Sequence, residues 1–129
     1  MKQLFILLLS LTVLLSTGCL ENNNTCDVYA PAPVTGVSGP SNGLLFQPMT
    51  FQVQFAAGNG CGSFGNFDSY TVNDSTEVIL KARYQGCVCT QQILNLTTNF
   101  TFTPVRSGAH YFKYYVREGE YVRDTIWVP

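Results

Sequence analysis

The chain has 129 residues and a formal net charge of −1, with seven basic and eight acidic side chains. This length predicts a single domain. The chain has no excess of basic residues of the kind that binds nucleic acid or an anionic membrane surface. The five cysteines are an odd number, which indicates that one of them has a role other than pairing within the chain.

The N-terminus has the pattern of a signal peptide. Lys2 supplies a positive charge, residues 4–15 form a largely apolar run, and residues 16–18 are small. The run is shorter than the roughly 20 apolar residues that a membrane-spanning helix needs. We therefore expect residues 1–18 to be a leader that is removed on export.

Cys19 directly follows the small residues. The sequence LSTGC at residues 15–19 resembles the lipobox of bacterial lipoproteins, although Ser16 stands where leucine is usual. The resemblance implies that the Cys19 thiol is diacylated and that the chain is cut before it, which would anchor the protein to a membrane of the bacterial cell envelope, in the periplasm or at the surface. Residues 19–27 would then be a lipidated tether, and residues 28–129 the folded domain. The alternative is a plain secretory peptide with Cys19 in a disulfide, which leaves an odd thiol.

The other four cysteines predict two disulfides, because disulfides persist in exported proteins. Four cysteines allow three pairings, and the sequence does not decide between them. We expect Cys61 to join Cys87 or Cys89, and Cys26 to join the other, because two side chains two residues apart on a strand do not bridge each other easily. A C-x-C redox pair at Cys87 and Cys89 is the alternative, but nothing in the pattern supplies a helix N-terminus or a basic neighbour to activate a thiol.

The domain shows the two-residue periodicity of β-strands. Apolar and polar residues alternate in segments 51–55, 78–84 and 94–102, and Gly- and Pro-rich segments at 33–43 and 58–66 separate them. No convincing helical periodicity is present. Short strands at this spacing predict an all-β protein with two packed sheets.

In the last third of the chain, Phe102 and Pro104 are followed by Gly108 and Phe112 and then by the run DTIWV at residues 124–128, and this pattern resembles the final three strands of bacterial immunoglobulin-like domains. Their usual pattern is F-x-P-x-x-x-G-x-Y-x-F, followed by a last strand that ends D-T-I-x-V. The resemblance implies an immunoglobulin-like two-sheet antiparallel β-sandwich. His110 stands where that family places a corner tyrosine. The matching positions are Phe102, Pro104, Gly108, Phe112 and residues 124–128.

His110 is the only histidine, and the sequence offers it no chemical partners at a recognisable spacing. A nucleophile needs a base within reach and a zinc site needs several ligands. Asp68, Asp74 and Glu77 lack the ordered spacing of a calcium site. No nucleophile elbow, phosphate loop or zinc-protease motif is present. We therefore interpret His110 as structural and expect a protein that is not an enzyme and has no metal or cofactor.

One surface feature could carry a function. Alternation along residues 110–117 places His110, Phe112 and Tyr114 inside and their neighbours outside, and the last strand alternates in the same way. The outward aromatic rings, interleaved with cations, suit stacking on sugar rings or docking on a protein partner. The alternative is that these rings only stabilise the sheet through cross-strand pairs. The predicted binding face consists of Tyr111, Tyr115, Tyr121, Trp127, Arg117 and Arg123.

These observations favour a lipid-anchored binding or adhesion module of the cell envelope, with an envelope protein or a glycan as its partner. A structural or accessory subunit of an envelope complex is the alternative. A thiol oxidoreductase is favoured less, because the cysteines have the pattern of structural disulfides.

Overall fold

The computed structural model describes residues 26–129. The predicted leader, Cys19 and most of the predicted tether lie outside the described residues, so the lipoprotein hypothesis stays a prediction. The described residues form eight β-strands and no helix. In chain order the strands are β1 (Asp27–Pro31), β2 (Val34–Ser38), β3 (Met49–Ala57), β4 (Gly62–Val72), β5 (Ser75–Gln85), β6 (Leu94–Phe102), β7 (Gly108–Arg117) and β8 (Glu120–Val128).

The strands form two sheets that pack face to face. The five-stranded sheet is centred on β5, which pairs with β4 along one edge and with β7 and β1 in succession along the other, while β8 pairs with β7. The three-stranded sheet has the order β2-β3-β6. The predicted all-β two-sheet sandwich is confirmed. One pairing departs from the antiparallel expectation, since β5 and β7 run parallel where residues 75–78 face residues 111–114.

The core lies between the sheets and is built from the inward side chains of alternating strands. In β3, every second residue from Met49 to Ala57 is buried, as the alternation predicted. Phe51 contacts Phe112 across the sandwich at 5.6 Å between ring centroids. Phe100 adds an edge-to-face contact with Phe112 at 6.3 Å. Offset and edge-to-face arrangements of this kind are the favourable ones for aromatic pairs.

Tyr114 is a polar residue inside this core. It is fully buried, and among the described residues no group forms a hydrogen bond with its hydroxyl oxygen. Burial raises the pKa of Tyr114 above its ordinary value, and the nearby carboxylate of Asp124 raises it further. A buried hydroxyl without a partner costs about 1–3 kcal/mol of desolvation that its ring packing must offset.

Tyr114→Phe is therefore expected to increase the free energy of unfolding by about 1 kcal/mol at neutral pH, because it removes the unpaired hydroxyl and keeps the ring. Since an unfolded tyrosine ionises near pH 10 while folded Tyr114 does not, the wild type loses stability as the pH rises above about 10. The Tyr114→Phe variant should lose less stability over the same pH range. Urea unfolding at neutral pH and above about pH 10 measures both differences in the free energy of unfolding. The exposed Tyr29→Phe is the matched control, and a gain in stability shared by both variants would contradict the expectation.

Candidate binding surface

The two disulfides gather at one end of the sandwich. Cys26 is bonded to Cys87 and Cys61 to Cys89, with Cα–Cα distances of 5.0 and 5.4 Å. The predicted pair of disulfides is therefore present, in one of the two arrangements expected among the three that the sequence allows. The backbone N–H of Gly86 also donates to the carbonyl of Cys26 at 2.9 Å, which closes this end. We call it the tether end, because the chain enters the described domain there.

The outward residues of β7 and β8 lie on the outer face of the five-stranded sheet, the face directed away from the core. Tyr111 is 49% exposed and Trp127 is 55% exposed, while Tyr115 and Tyr121 are half-buried. His110, Phe112 and Tyr114 on the same strand are buried. The inside and outside assignment of the last hairpin therefore agrees with the alternation of its sequence.

The predicted aromatic stripe is nevertheless divided into two parts. Tyr115 faces Tyr121 near the hairpin turn, with ring centroids 6.4 Å apart in an edge-to-face arrangement. Trp127 faces Ala109 at the other end of the same hairpin. Six residues separate these two positions on β7, which corresponds to about 20 Å along the strand. The two aromatic groups therefore cannot contact the same small ligand.

Arg117 does not join either group. The pairing of β7 with β8 shifts between Tyr115 and Arg117, so a β-bulge lies between them. Arg117 donates instead from its guanidinium to the carboxylate of Glu120 across the turn. Local alternation predicted an outward Arg117 beside the rings, but the extra residue of a bulge breaks the two-residue period.

Two cations lie between the aromatic groups. Lys113 and Arg123 face each other across β7 and β8 and, among the described residues, neither has an ion-pair partner. They line a shallow depression of about 290 Å³ together with Tyr111 and Thr125. Like charges placed directly opposite each other are unfavourable in a sheet, but Glu77 on β5 is the register neighbour of Lys113 on its other side, so a carboxylate lies beside the pair.

Elsewhere on the outer face the described cations form ion pairs, as Lys81 does with Asp68 and Arg83 with Asp27. Asp27 accepts two hydrogen bonds from Arg83, at 2.9 and 2.6 Å, and this contact holds the pKa of Asp27 below its usual range. Glu77 accepts a hydrogen bond from the hydroxyl of Tyr121 at 3.4 Å. The negative charge of Glu77 raises the pKa of that hydroxyl. The unpaired cations are therefore confined to the middle of the β7–β8 hairpin among the residues described.

A groove beside Trp127 was not predicted from the sequence. The loop between β2 and β3 runs along Trp127, whose N–H donates to the carbonyl of Ser41 and whose carbonyl accepts from the N–H of Gly43, both at 2.9 Å. The groove has a volume of about 530 Å³. Its apolar walls include Pro40, Leu44, Pro48 and Trp127, and its polar side chains are Asn42, Gln47 and Thr50.

The loop can lie so close to the sheet because of its glycines. A Cβ at Gly43 would overlap the sulfur of Met49, a buried core residue. Phe46, at the tip of the loop, is exposed and has a φ of 60°, a conformation uncommon for residues other than glycine. Its N–H donates to the carbonyl of Pro104 at 2.8 Å. The sequence showed only a Gly- and Pro-rich segment here, which predicts a loop and not its path.

His110 has a structural environment. It is buried, its Nε2–H donates to the carbonyl of Arg106 at 3.0 Å, and its ring lies edge-on to Phe102 at 5.3 Å. A corner tyrosine makes the same kind of bond to the backbone a few residues upstream. The interpretation of His110 as a structural substitute at the corner therefore fits its contacts.

The remaining chemistry of the described residues is sparse. No group of three or more His, Cys, Asp or Glu residues between positions 26 and 129 is arranged to hold a metal ion. No helix that could cross a membrane occurs in the same range. The described surface carries aromatic, amide, hydroxyl, cationic and carboxylate side chains.

Two sheets packed face to face around one aromatic core define a β-sandwich domain. The groove beside Trp127 is an additional feature of this domain. The family model for the ORF11 beta-sandwich domain matches residues 51–126, which extend from β3 into β8, and the chain belongs to this family. No curated protein and no solved structure matches the chain.

Proposed function

We propose that the protein is a lipid-anchored binding or adhesion module of the bacterial cell envelope, without catalytic activity. The observation that carries the proposal is the outer face of β7 and β8, where exposed Tyr111 and Trp127 lie on one side of the unpaired cations Lys113 and Arg123, and the Tyr115 and Tyr121 pair lies on the other. Large exposed rings are characteristic of interaction sites, because tyrosine and tryptophan provide rigid contact area at a low entropic cost.

The position of the expected anchor supports this function. Cys26 lies at the tether end, next to the register pair of Asp27 and Gln85 at the end of β5. The start of β5 pairs with Tyr111, and Trp127 lies two residues further from the tether end, opposite Ala109. Ten residues of β5 span about 33 Å. A lipid on Cys19 would therefore hold the tether end at the membrane and direct the Trp127 groove away from it.

A structural or accessory subunit of an envelope complex is the second candidate, and the edge of β4 favours it. This strand has eleven residues and, among the residues described, pairs only with β5. It contains neither lysine nor proline, and Tyr70 and Val72 are exposed. A β-bulge interrupts the strand between Phe64 and Asn66, but residues 66–72 form an edge without lysine, proline or bulge, and such an edge is a template for pairing with a strand of another chain. The thiol-oxidoreductase alternative gains no support, because Cys87 and Cys89 are bonded to different partners.

The anchor is tested by Cys19→Ser in the producing bacterium. We expect this variant to be found in the soluble fraction, or to keep an uncleaved leader, because no thiol is left to accept the acyl chains. Membrane fractionation with detergent phase partitioning and the mass of the intact chain measure this outcome. Cys61→Ser combined with Cys89→Ser is the matched control, because it also removes cysteines and should stay in the membrane fraction. A processed Cys19→Ser chain that partitions fully into detergent would contradict the anchor.

A further inference from the structure

We infer that the groove beside Trp127 binds an uncharged saccharide. The inference rests on the proposed binding function and names the class of ligand for one part of the binding surface. It concerns the groove lined by Trp127, the loop of residues 39–48 and the start of β3, and not the depression at Lys113 and Arg123.

The size of the groove fits a small ligand. Its volume of about 530 Å³ lies within the range of about 300–1,000 Å³ that small-molecule sites occupy. A protein partner would instead need a flat area of several hundred Å² on this side. The groove is also open to solvent along Trp127, whose side chain remains 55% exposed. An extended ligand such as an oligosaccharide could therefore continue beyond the groove at either end.

The lining matches the two kinds of surface that a sugar ring presents. One face of a pyranose carries C–H groups, which are attracted to the negative face of an aromatic ring such as Trp127. The edge of the ring carries hydroxyl groups, which need both donors and acceptors. The side-chain amides of Asn42 and Gln47 and the hydroxyl of Thr50 provide both.

The charge of the lining selects against ionised ligands. Within the part of the chain that the structure describes, no Asp, Glu, Lys, Arg or His side chain lines this groove. A carboxylate or phosphate placed here would lose hydration without gaining a countercharge, which is costly. An uncharged saccharide avoids this cost, because its hydroxyl groups exchange water for the amides.

The tryptophan is held ready for stacking. Its backbone is fixed on both sides, by Ser41 and Gly43 on the loop and by the register pair with Ala109 on β7. Ala109 has only a methyl group, so this cross-strand neighbour cannot cover the indole ring. Pro40 and Pro48 restrict the backbone of the loop. A site that is already ordered before binding retains more of its interaction energy as affinity.

The experiment uses the fact that Trp127 is the only tryptophan in the chain. The full chain, kept in a detergent without a sugar head group, is titrated with neutral glycans that include maltotriose, cellotriose and triacetylchitotriose, and with trigalacturonic acid. Tryptophan emission and calorimetry are recorded for the wild type. Calorimetry is repeated with Trp127→Ala, Asn42→Ala and Tyr29→Ala, the last being an exposed aromatic residue at the tether end.

We expect at least one neutral glycan to change the emission saturably, with a Kd of about 1 mM or tighter. Trp127→Ala should weaken binding at least about ten-fold, Asn42→Ala by a smaller factor, and Tyr29→Ala by less than about two-fold. Circular dichroism of each variant confirms that the fold is kept. Absence of binding by every neutral glycan, unchanged affinity in Trp127→Ala, or tighter binding of trigalacturonic acid would each overturn the inference. So would a concentration-dependent emission change without glycan, which would mean that a second copy occupies the groove.

The same variants separate this inference from the proposed function. Each is immobilised and exposed to detergent-solubilised envelope of the producing bacterium. If no neutral glycan binds but the wild type captures an envelope component that Trp127→Ala does not capture, the saccharide inference is wrong and the binding module on this face remains. If the wild type captures nothing and no glycan binds, both are wrong.

Discussion

Removal of the Cys26–Cys87 disulfide is expected to lower the free energy of unfolding by about 4 kcal/mol. The bond joins residues separated by 61 positions, and in the chain-entropy model a loop of this length restricts the unfolded chain by about that amount. Natural domains are stable by only about 5–15 kcal/mol, so the loss would be a large fraction of the total. Replacing both cysteines by serine avoids a free thiol, and urea unfolding measures the change.

The second disulfide provides the matched comparison. Cys61 and Cys89 are separated by 28 positions, so the corresponding double serine variant should lose slightly less, about 3.5 kcal/mol. Both bonds lie at the tether end, so the emission of Trp127 at the opposite end should be the same in both folded variants. Unfolding midpoints equal to that of the wild type would contradict a structural role for these bonds.

Replacement of Trp127 by alanine is expected to abolish capture of the proposed envelope partner and to lower stability by no more than about 1 kcal/mol. The ring is more than half exposed and faces Ala109, so little packing is lost with it. Truncation of a buried aromatic residue such as Phe112 would instead cost about 3–5 kcal/mol. A central aromatic anchor, in contrast, can supply most of the energy of an interface.

Tyr115 is expected to behave differently from Trp127. Its ring is half-buried and packs edge-to-face on Tyr121, so Tyr115→Ala removes a cross-strand pair worth about 0.5–1.5 kcal/mol. It lies about 20 Å from Trp127 along the strand. Stability should therefore fall in this variant while capture is kept.

The sequence predicted well those features that depend on local alternation. The buried residues of β3 and the outward positions of Tyr111 and Trp127 follow from the two-residue period of a strand that is covered on one side. The existence of two disulfides followed from the count of cysteines in a chain whose N-terminal sequence predicts export. The sandwich itself followed from the number and spacing of the short strands.

Features that depend on contacts between distant segments were not predictable in this way. The parallel pairing of β5 with β7 joins Ser75 to Tyr111, and nothing in either strand alone specifies this neighbour. The groove exists because residues 41–43 are bonded to Trp127, far along the chain. The bulge between Tyr115 and Arg117 changes which side chains lie together by one inserted residue. Glycines in the loop signalled only that the backbone bends there.

The most direct test of a binding function on the outer face is to measure capture and stability in the same preparations of the full chain. Wild type, Trp127→Ala, Tyr115→Ala and Tyr29→Ala are each unfolded in urea and each exposed to solubilised envelope. We expect Trp127→Ala to lose capture with a stability within about 1 kcal/mol of the wild type, while Tyr115→Ala and Tyr29→Ala keep capture. Full capture by Trp127→Ala, or a loss of several kcal/mol in its free energy of unfolding, would contradict the account.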